Sequence, residues 1–156
     1  MMLELHHVSV CQLVKDISLT VSAGQLAVIS GASGSGKTTL LRAVLGFLPL
    51  SGGHISIDGE LLTPQSAPYF RRMTAYVPQR IAVPEWYEDV PADYVRLLEQ
   101  AAYSDKQLLI VDEPSGTLSE EQAAVVVRLL HEAVQRGAAV LAVNDRDRMA
   151  NYRIIL

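Results

Sequence analysis

The sequence has few of the features that mark nucleic-acid-binding or disulfide-stabilised proteins. Its 156 residues include one cysteine, Cys11, so no internal disulfide can form, which fits a reducing cytoplasm. Only 19% of the residues are charged, 13 of them basic and 17 acidic, and no segment carries a run of one sign. The sequence therefore lacks the clustered basic residues that bind the phosphate backbone of nucleic acids. We expect no nucleic-acid partner.

Long apolar segments are also missing from the sequence. The apolar run 108–111 is far shorter than the roughly 20 residues that cross a bilayer. The first residues, Met-Met-Leu-Glu-Leu-His-His, lack the basic and apolar parts of a signal peptide, so we expect none. We therefore expect a soluble protein with no direct insertion into the membrane. With 49% hydrophobic residues, the chain suits a single domain over 1–156.

Strand-like and helix-like segments alternate along the chain, which predicts an α/β fold with a mainly parallel sheet flanked by helices. The first sixty residues are rich in strands and contain a hairpin-type turn at Asp58-Gly59, so they predict an N-terminal antiparallel β portion. Strands are predicted over 3–10, 17–21, 26–30, 54–59, 74–77, 108–111, 138–143 and 152–156. Helices are predicted over 38–48, over 91–102, and from Ser119, which forms a capping box with Gln122, to Gly137.

The segment 31–39, Gly-Ala-Ser-Gly-Ser-Gly-Lys-Thr-Thr, matches a phosphate-binding loop in full. Its glycines let successive backbone amides point into one concavity, and the helix that follows presents its N-terminus to the same anion. Lys37 would reach the β- and γ-phosphates, and the Thr38 hydroxyl would hold Mg²⁺. We therefore expect a nucleoside triphosphate to bind here. Its predicted ligands are Gly31, Ala32, Ser33, Gly34, Ser35, Gly36, Lys37, Thr38 and Thr39.

Two acidic residues follow the apolar strand 108–111. A carboxylate at the C-terminal end of a strand beside a phosphate loop is where a nucleotide hydrolase holds Mg²⁺. The next residue can orient or deprotonate the attacking water. We assign the metal role to Asp112 and the general-base role to Glu113. The alternative is an acidic surface turn after a core strand, and the phosphate loop argues against it because one site uses both features.

The sequence resembles the nucleotide-binding subunits of ABC transporters over nearly its whole length. Beyond the loop and the acidic strand, 15–24 is similar to the family's opening strands, and 51–59, Ser-Gly-Gly-His-Ile-Ser-Ile-Asp-Gly, to its hairpin. The segment 75–79, Ala-Tyr-Val-Pro-Gln, is similar to the strand that ends in a glutamine sensing Mg²⁺ and the attacking water. The resemblance implies a P-loop NTPase fold and ATP with Mg²⁺ as cofactors. It also implies that Gln79 is both a metal ligand and a catalytic residue, beside the catalytic Lys37 and Glu113.

The chain departs from the family between Gln79 and Asp112. Too few residues separate these positions for the helical subdomain that carries the family's Leu-Ser-Gly-Gly-Gln signature, so we expect a reduced subdomain over 80–103. An ungapped count back from Asp112 places 88–92, Glu-Asp-Val-Pro-Ala, where that signature would lie. In the family this segment donates hydrogen bonds to the γ-phosphate held by the other subunit. Asp89 would repel that phosphate or lie near the cap of the helix that follows, and neither supports the family's role.

Three other positions differ from the family pattern. Val10 or Cys11 stands where the family has an aromatic residue that stacks on adenine, so we expect poor discrimination between bases. Ser119 replaces an aspartate that crosses the dimer interface, and Asp145 replaces a histidine that contacts the γ-phosphate. Together with the lost signature, these changes predict that a symmetric homodimer with two sandwiched ATP molecules does not form.

Three functions remain open on the sequence alone. The first is an ATP-binding subunit of the ABC-transporter type that slowly hydrolyses the β–γ bond of Mg-ATP. Its partner would be a membrane permease subunit, which implies a place at the inner, cytoplasmic face of the membrane, or a second ATP-binding subunit that supplies a signature. The second function is a degenerate ATP-binding module, regulatory or structural, without significant turnover. The third is a GTPase, since Asn-Asp-Arg-Asp at 144–147 faintly resembles the guanine-binding Asn-Lys-x-Asp motif, although the lysine is absent.

Overall fold

The structure, a computed structural model, describes residues 1–31, 34–78, 86, 90–112, 118–144 and 152–155. Its strands are β1 (Leu3–Val10), β2 (Val14–Val21), β3 (Leu26–Ser30), β4 (Gly52–Ile57), β5 (Glu60–Leu61), β6 (Thr74–Val77), β7 (Leu108–Val111), β8 (Ala139–Asn144) and β9 (Tyr152–Ile155). Its helices are α1 (Lys37–Val44), α2 (Ala67–Arg72), α3 (Val90–Ala102) and α4 (Glu120–Gln135).

The strands form two sheets. A five-stranded sheet, in the order β6-β7-β8-β3-β9, is parallel at every pairing. A four-stranded sheet from the first part of the chain, in the order β2-β1-β4-β5, is antiparallel. The predicted α/β class, with a mainly parallel sheet and an N-terminal antiparallel portion, is confirmed. Among the described residues, none of the helices has the length and apolar character needed to cross a bilayer.

The hairpin between β1 and β2 is tighter than the sequence predicts. β2 begins at Val14 rather than at residue 17, because only three residues, 11–13, connect it to β1, and Cys11 and Gln12 are the central residues of the turn. Those residues, Cys11 and Gln12, both have left-handed backbones, with φ of 51° and 60°, and the Leu13 N–H donates to the Val10 carbonyl at 3.1 Å. This is the geometry of a two-residue primed turn, which follows the twist of the strands.

Strand β4 depends on glycine near both of its ends. Gly53 has φ of +72°, and an added Cβ would lie 2.2 Å from the carbonyl oxygen of His7 in the bulged strand β1. At the other end, Asp58 and Gly59 have φ of 52° and 81° and connect β4 to β5. The predicted hairpin turn at these two residues is confirmed.

The parallel sheet separates two apolar cores. Strands β3 and β7 are buried at every position, which explains why the sequence there is apolar without alternation. On one face, Ala27 and Ile29 belong to the cluster that includes α1 and the antiparallel sheet. On the other, Leu26 and Val28 belong to the cluster that includes α3 and α4. The loop after β3 therefore follows a strand that is fixed by packing on both of its faces.

Helix α4 begins and ends as predicted. The Ser119 hydroxyl accepts a hydrogen bond from the Gln122 N–H at 3.1 Å, and the Gln122 side chain accepts from the Ser119 N–H at 3.0 Å. These two bonds form the capping box. Gly137, with φ of 99°, follows the helix in the left-handed conformation that favours glycine.

Helix α1 ends at Val44, earlier than the predicted residue 48. Gly46 has φ of +82° and lies against α2, where an added Cβ would stand 2.5 Å from the Cβ of Ala67. Arg71 of α2 donates to the carbonyl of Leu45 at 2.8 Å and satisfies one of the acceptors left at the end of α1. Helix α2 was not predicted, because six residues are too few to show the helical repeat of apolar positions.

Candidate functional site

The carboxyl ends of the parallel strands meet at one edge of the sheet. β8 lies between β3 and β7, with Ser30 paired to Asn144 and Val111 paired to Ala142. The loop that follows β3 and the acidic residue that follows β7 therefore emerge on the same edge. Open α/β sheets bind their ligands at this edge.

Two glycines shape the described part of the loop. Gly34, with φ of +81°, has nothing within 4 Å of the position that a Cβ would occupy. Gly36, with φ of +97°, lies on the β1–β2 hairpin, where a Cβ would be 2.8 Å from a methyl group of Val14. Gly34 and Gly36 have left-handed backbones and Ser35 between them does not. Such alternation of backbone conformation is typical of nests, in which successive N–H groups bind an anion. The loop thus needs glycine for its conformation at both positions and for close packing at Gly36.

Lys37 is the first residue of α1 and is only 9% exposed. Its ammonium group donates to the Gly31 carbonyl at 2.5 Å, so the positive charge lies beside the loop. The cap residue is Gly36, which has no side chain to accept a hydrogen bond from the first turn, so N–H groups of that turn are left for an acceptor outside the helix. The buried Ser35 hydroxyl also has no partner among the described residues. These groups fit a triphosphate in charge and in donor chemistry.

Thr38 and Asp112 are joined across the site. The Thr38 hydroxyl donates to Oδ2 of Asp112 at 2.9 Å, although 74 positions separate the two residues in the chain. Asp112 is 1% exposed, so this contact is shielded from solvent. Hydroxyl and carboxylate oxygens are ligands that Mg²⁺ prefers, and proteins supply one or two of them beside the phosphates of a bound nucleotide. The pair fits the predicted metal role of both residues.

The main chain of Asp112 is also held. Its N–H donates to the Val77 carbonyl of β6 at 2.9 Å, and its carbonyl accepts a hydrogen bond from the phenol of Tyr94 in α3. Sequence reasoning missed Tyr94. The apolar face of the helix predicts that residue 94 is buried, but no local signal identifies the partner of its hydroxyl.

The pKa of Tyr76, near the carboxyl end of β6, depends on the charge of Asp112. Partial burial raises the pKa of the Tyr76 phenol, the negative charge of Asp112 raises it further, and Arg42 counteracts the shift. The phenol therefore stays neutral throughout the physiological pH range.

Several of the predicted site residues lie outside the described part of the chain. These are Ala32, Ser33, Gln79 and Glu113, together with Asp89 and Asp145 from the comparison with the family pattern. Gly31, Gly34, Ser35, Gly36, Lys37, Thr38 and Asp112 are brought together as described above, and Thr39 lies in the first turn of α1.

The positions that differ from the family pattern have local structural explanations where they are described. Cys11 lies in the turn between β1 and β2 with a left-handed backbone. Ser119 is the cap of α4. Helix α3 begins at Val90, so part of the segment counted as the signature lies in the first turn of a helix. Pro91 in that turn has no N–H to donate.

The chain is similar to a known protein family and to several of its curated members. The model of the ABC transporter family matches residues 14–93. The zinc import ATP-binding protein ZnuC of Cereibacter sphaeroides is 34% identical, over 89% of this chain and 70% of that protein. The manganese transport system ATP-binding protein MntB of Bacillus subtilis is 38% identical, over 86% of this chain and 50% of that protein.

Solved structures show the same fold. A putative ABC transporter ATP-binding protein from Pyrococcus furiosus superposes with a TM-score of 0.81 at 16% identity, covering 100% of this chain and 98% of the other. A second structure, of an ATP-binding subunit of an ABC transporter, gives 0.74 at 20% identity and covers 86% of that chain.

The alignment to the zinc import protein is longer than this chain. It extends over 173 positions, more than the 156 residues of this chain. The relative therefore has residues, within the aligned region, that have no counterpart here.

Proposed function

This chain belongs to the ABC transporter family as an ATP-binding subunit, and on that premise we propose that it binds Mg-ATP at 31–39 and slowly hydrolyses the β–γ bond. The hydrogen bond between Thr38 and Asp112, beside the buried ammonium of Lys37, carries the proposal. It joins a phosphate loop to a metal-binding carboxylate, and both are needed for phosphoryl transfer.

Different residues of the site are proposed to bind the phosphates, hold the metal ion and activate water. The loop amides and Lys37 bind the phosphate oxygens, and Thr38 with Asp112 holds Mg²⁺. When bound, Mg²⁺ neutralises charge on the β- and γ-phosphates. We propose that Glu113 orients and deprotonates the attacking water, and that Gln79 is a metal ligand that aligns the same water. Both follow strands that end at this edge of the sheet.

Turnover is proposed to be slow because the signature is missing. A carboxylate such as Asp89 about 4 Å from a phosphate charge would cost about 4 kcal/mol per unit charge at an effective dielectric of 20. A hydrogen bond to a charged group contributes only about 1.5 to 3 kcal/mol, so the repulsion would exceed what a donor could restore. Catalysis in this chain therefore depends on its own loop and acidic residues.

A nucleotide titration tests the binding step. We expect ATP and GTP to bind with affinities within about threefold, because Val10 and Cys11 supply no aromatic ring to stack on the base, a contact worth about 1 to 3 kcal/mol. Isothermal titration with ATP, GTP and ADP, with Mg²⁺ and again with EDTA, measures the affinities. No binding of any nucleotide would reject the proposal, and a preference for GTP of tenfold or more would favour a GTPase.

Phosphate release on the same samples separates the proposed subunit from a degenerate ATP-binding module. The absent signature and the residues Ser119 and Asp145 favour the module as the second candidate. Tight Mg-ATP binding without phosphate release above that of a Lys37→Ala control would establish it.

A symmetric ATP-bound homodimer is not expected. In the family each ATP needs donors from the partner's signature, and the corresponding segment here supplies a carboxylate, Asp89, and a proline, Pro91, that has no N–H. The mass of the Glu113→Gln variant in solution, measured by light scattering with and without Mg-ATP, should remain that of the monomer. The same variant carrying Lys37→Ala is the control for nonspecific association. An ATP-dependent dimer of the single variant alone would contradict the alignment of 80–92.

The assembly proposed for the chain follows from this prediction. We propose that 1–156 is one nucleotide-binding domain with a reduced helical subdomain at 80–103. It would work with a membrane permease subunit, at the cytoplasmic face of the membrane, or with a second ATP-binding subunit that supplies a signature to the Lys37 site. The relatives are named for different cargoes, including zinc, manganese and sulfate, so the proposal concerns the role of the subunit and no particular cargo.

A further inference from the structure

Tyr94 links helix α3 to the residue that carries the acidic metal ligand. Its phenol donates a hydrogen bond to the main-chain carbonyl of Asp112. Tyr94 is 1% exposed and belongs to the same buried cluster as Leu98, Val77 and Val111. Because packing surrounds the ring, the hydroxyl is held in place by the core.

The position of Asp112 explains why such a hydrogen bond matters. Strand β7 ends at Val111, so the carbonyl of Asp112 lies beyond the last residue paired with β6 and β8. A buried main-chain carbonyl requires a hydrogen-bond donor, and here Tyr94 supplies one. The N–H of the same residue is held by Val77, and its carboxylate accepts from Thr38.

We infer that Tyr94 is a positioning residue for the magnesium site, acting through the main chain of Asp112 to hold the carboxylate against the Thr38 hydroxyl. The inference rests on the proposed function, because it takes Thr38 and Asp112 as metal ligands. It also gives the shortened segment a role. Helix α3 lacks the family's signature, yet it supports the nucleotide site of its own chain.

The test compares two tyrosines that lie close together in the sequence. Tyr94→Phe removes the hydroxyl and keeps the ring in the core. Tyr103→Phe makes the same chemical change at an exposed residue just past α3, whose phenol donates to Glu132 away from the site. Mn²⁺ replaces Mg²⁺ as a spectroscopic probe. Electron paramagnetic resonance of the free ion, corrected for the Mn²⁺ that ATP binds in a matched sample without protein, measures its affinity for the full chain with ATP bound.

We expect Tyr94→Phe to weaken Mn²⁺ binding about tenfold, since the loss of an outer partner of a metal ligand typically costs 10- to 100-fold in affinity. ATP affinity in EDTA should change by less than about twofold, because the loop amides and Lys37 are untouched. In phosphate release, kcat should fall while KM for ATP stays nearly constant. Tyr103→Phe should match the wild type in every measurement.

The outcomes separate this inference from the proposed function. Equal Mn²⁺ affinity in Tyr94→Phe and wild type would overturn the positioning role, and so would an equal loss in Tyr103→Phe. If the wild-type protein binds Mn²⁺ with ATP but releases no phosphate, only the proposed hydrolysis is contradicted. The Mn²⁺ affinities of Tyr94→Phe and wild type would then still decide the role of Tyr94. Wild-type protein that binds no Mn²⁺ with ATP would overturn both. Melting curves verify folding, and Tyr94→Met serves the same comparison if the phenylalanine variant does not fold.

Discussion

Replacement of Lys37 by alanine is expected to lower the affinity for Mg-ATP by at least about 100-fold. The ammonium group is nearly buried beside the loop, where a charge-assisted hydrogen bond to phosphate contributes about 1.5 to 3 kcal/mol and unit charges at about 4 Å attract by about 4 kcal/mol. Even after the cost of desolvation, the loss exceeds the roughly 2.7 kcal/mol that corresponds to 100-fold. Isothermal titration with Mg-ATP measures the change.

Lys15→Ala is the matched control for this experiment. Lys15 is exposed on β2, so its replacement removes the same charge without touching the loop, and ATP affinity should change by less than about twofold. Melting curves of both variants exclude a loss of folded protein as the cause. If Lys37→Ala bound ATP as well as the wild type does, the segment 31–39 could not be the nucleotide site.

Replacement of Glu113 by glutamine is expected to lower phosphate release by about 100-fold or more, with ATP affinity nearly unchanged. A general base contributes about 10²- to 10⁴-fold to the rate, and glutamine keeps the shape of glutamate while it cannot accept a proton from water. A coupled phosphate assay at saturating Mg-ATP measures the rate. Titration of the same sample with ATP separates chemistry from binding.

Glu120→Gln is the control for Glu113→Gln. Glu120 is an exposed glutamate in the first turn of α4, so the same substitution there changes the net charge equally without reaching the site. Its phosphate release should equal that of the wild type. Unchanged release in Glu113→Gln would assign the base to another residue or the activity to a contaminant.

The parts of the fold that depend on local patterns could be predicted from the sequence. The capping box of Ser119 and Gln122 and the turn at Asp58 and Gly59 use side chains and backbones within four residues of each other, and both are confirmed. The apolar strands are also local signals, because burial on both faces leaves no polar position. We could also predict that Lys37, Thr38 and Asp112 lie in one site, because the carboxyl ends of parallel strands share one edge of the sheet.

What could not be predicted depends on contacts between distant residues or on unusual backbone conformations. The turn at Cys11 and Gln12 contains neither glycine nor asparagine, so nothing in its sequence marks a left-handed backbone. The end of α1 depends on the approach of Gly46 to Ala67. The hydroxyl of Tyr94 finds its acceptor 18 residues further along the chain, and this partner is determined only when α3 packs against β7.

Strand β7 links the stability of the nucleotide site to that of the whole protein. Leu108 and Ile110 are anchored in one core and Leu109 and Val111 in the other, so the four-residue strand that leads to Asp112 is embedded in both layers at once. Local unfolding occurs at low cost in regions with few buried apolar contacts, whereas core strands open with free energies close to that of global unfolding. Release of β7 would expose both cores. We therefore expect fraying elsewhere to leave Asp112 in place, and the proposed metal-binding carboxylate to be lost only when the protein unfolds cooperatively.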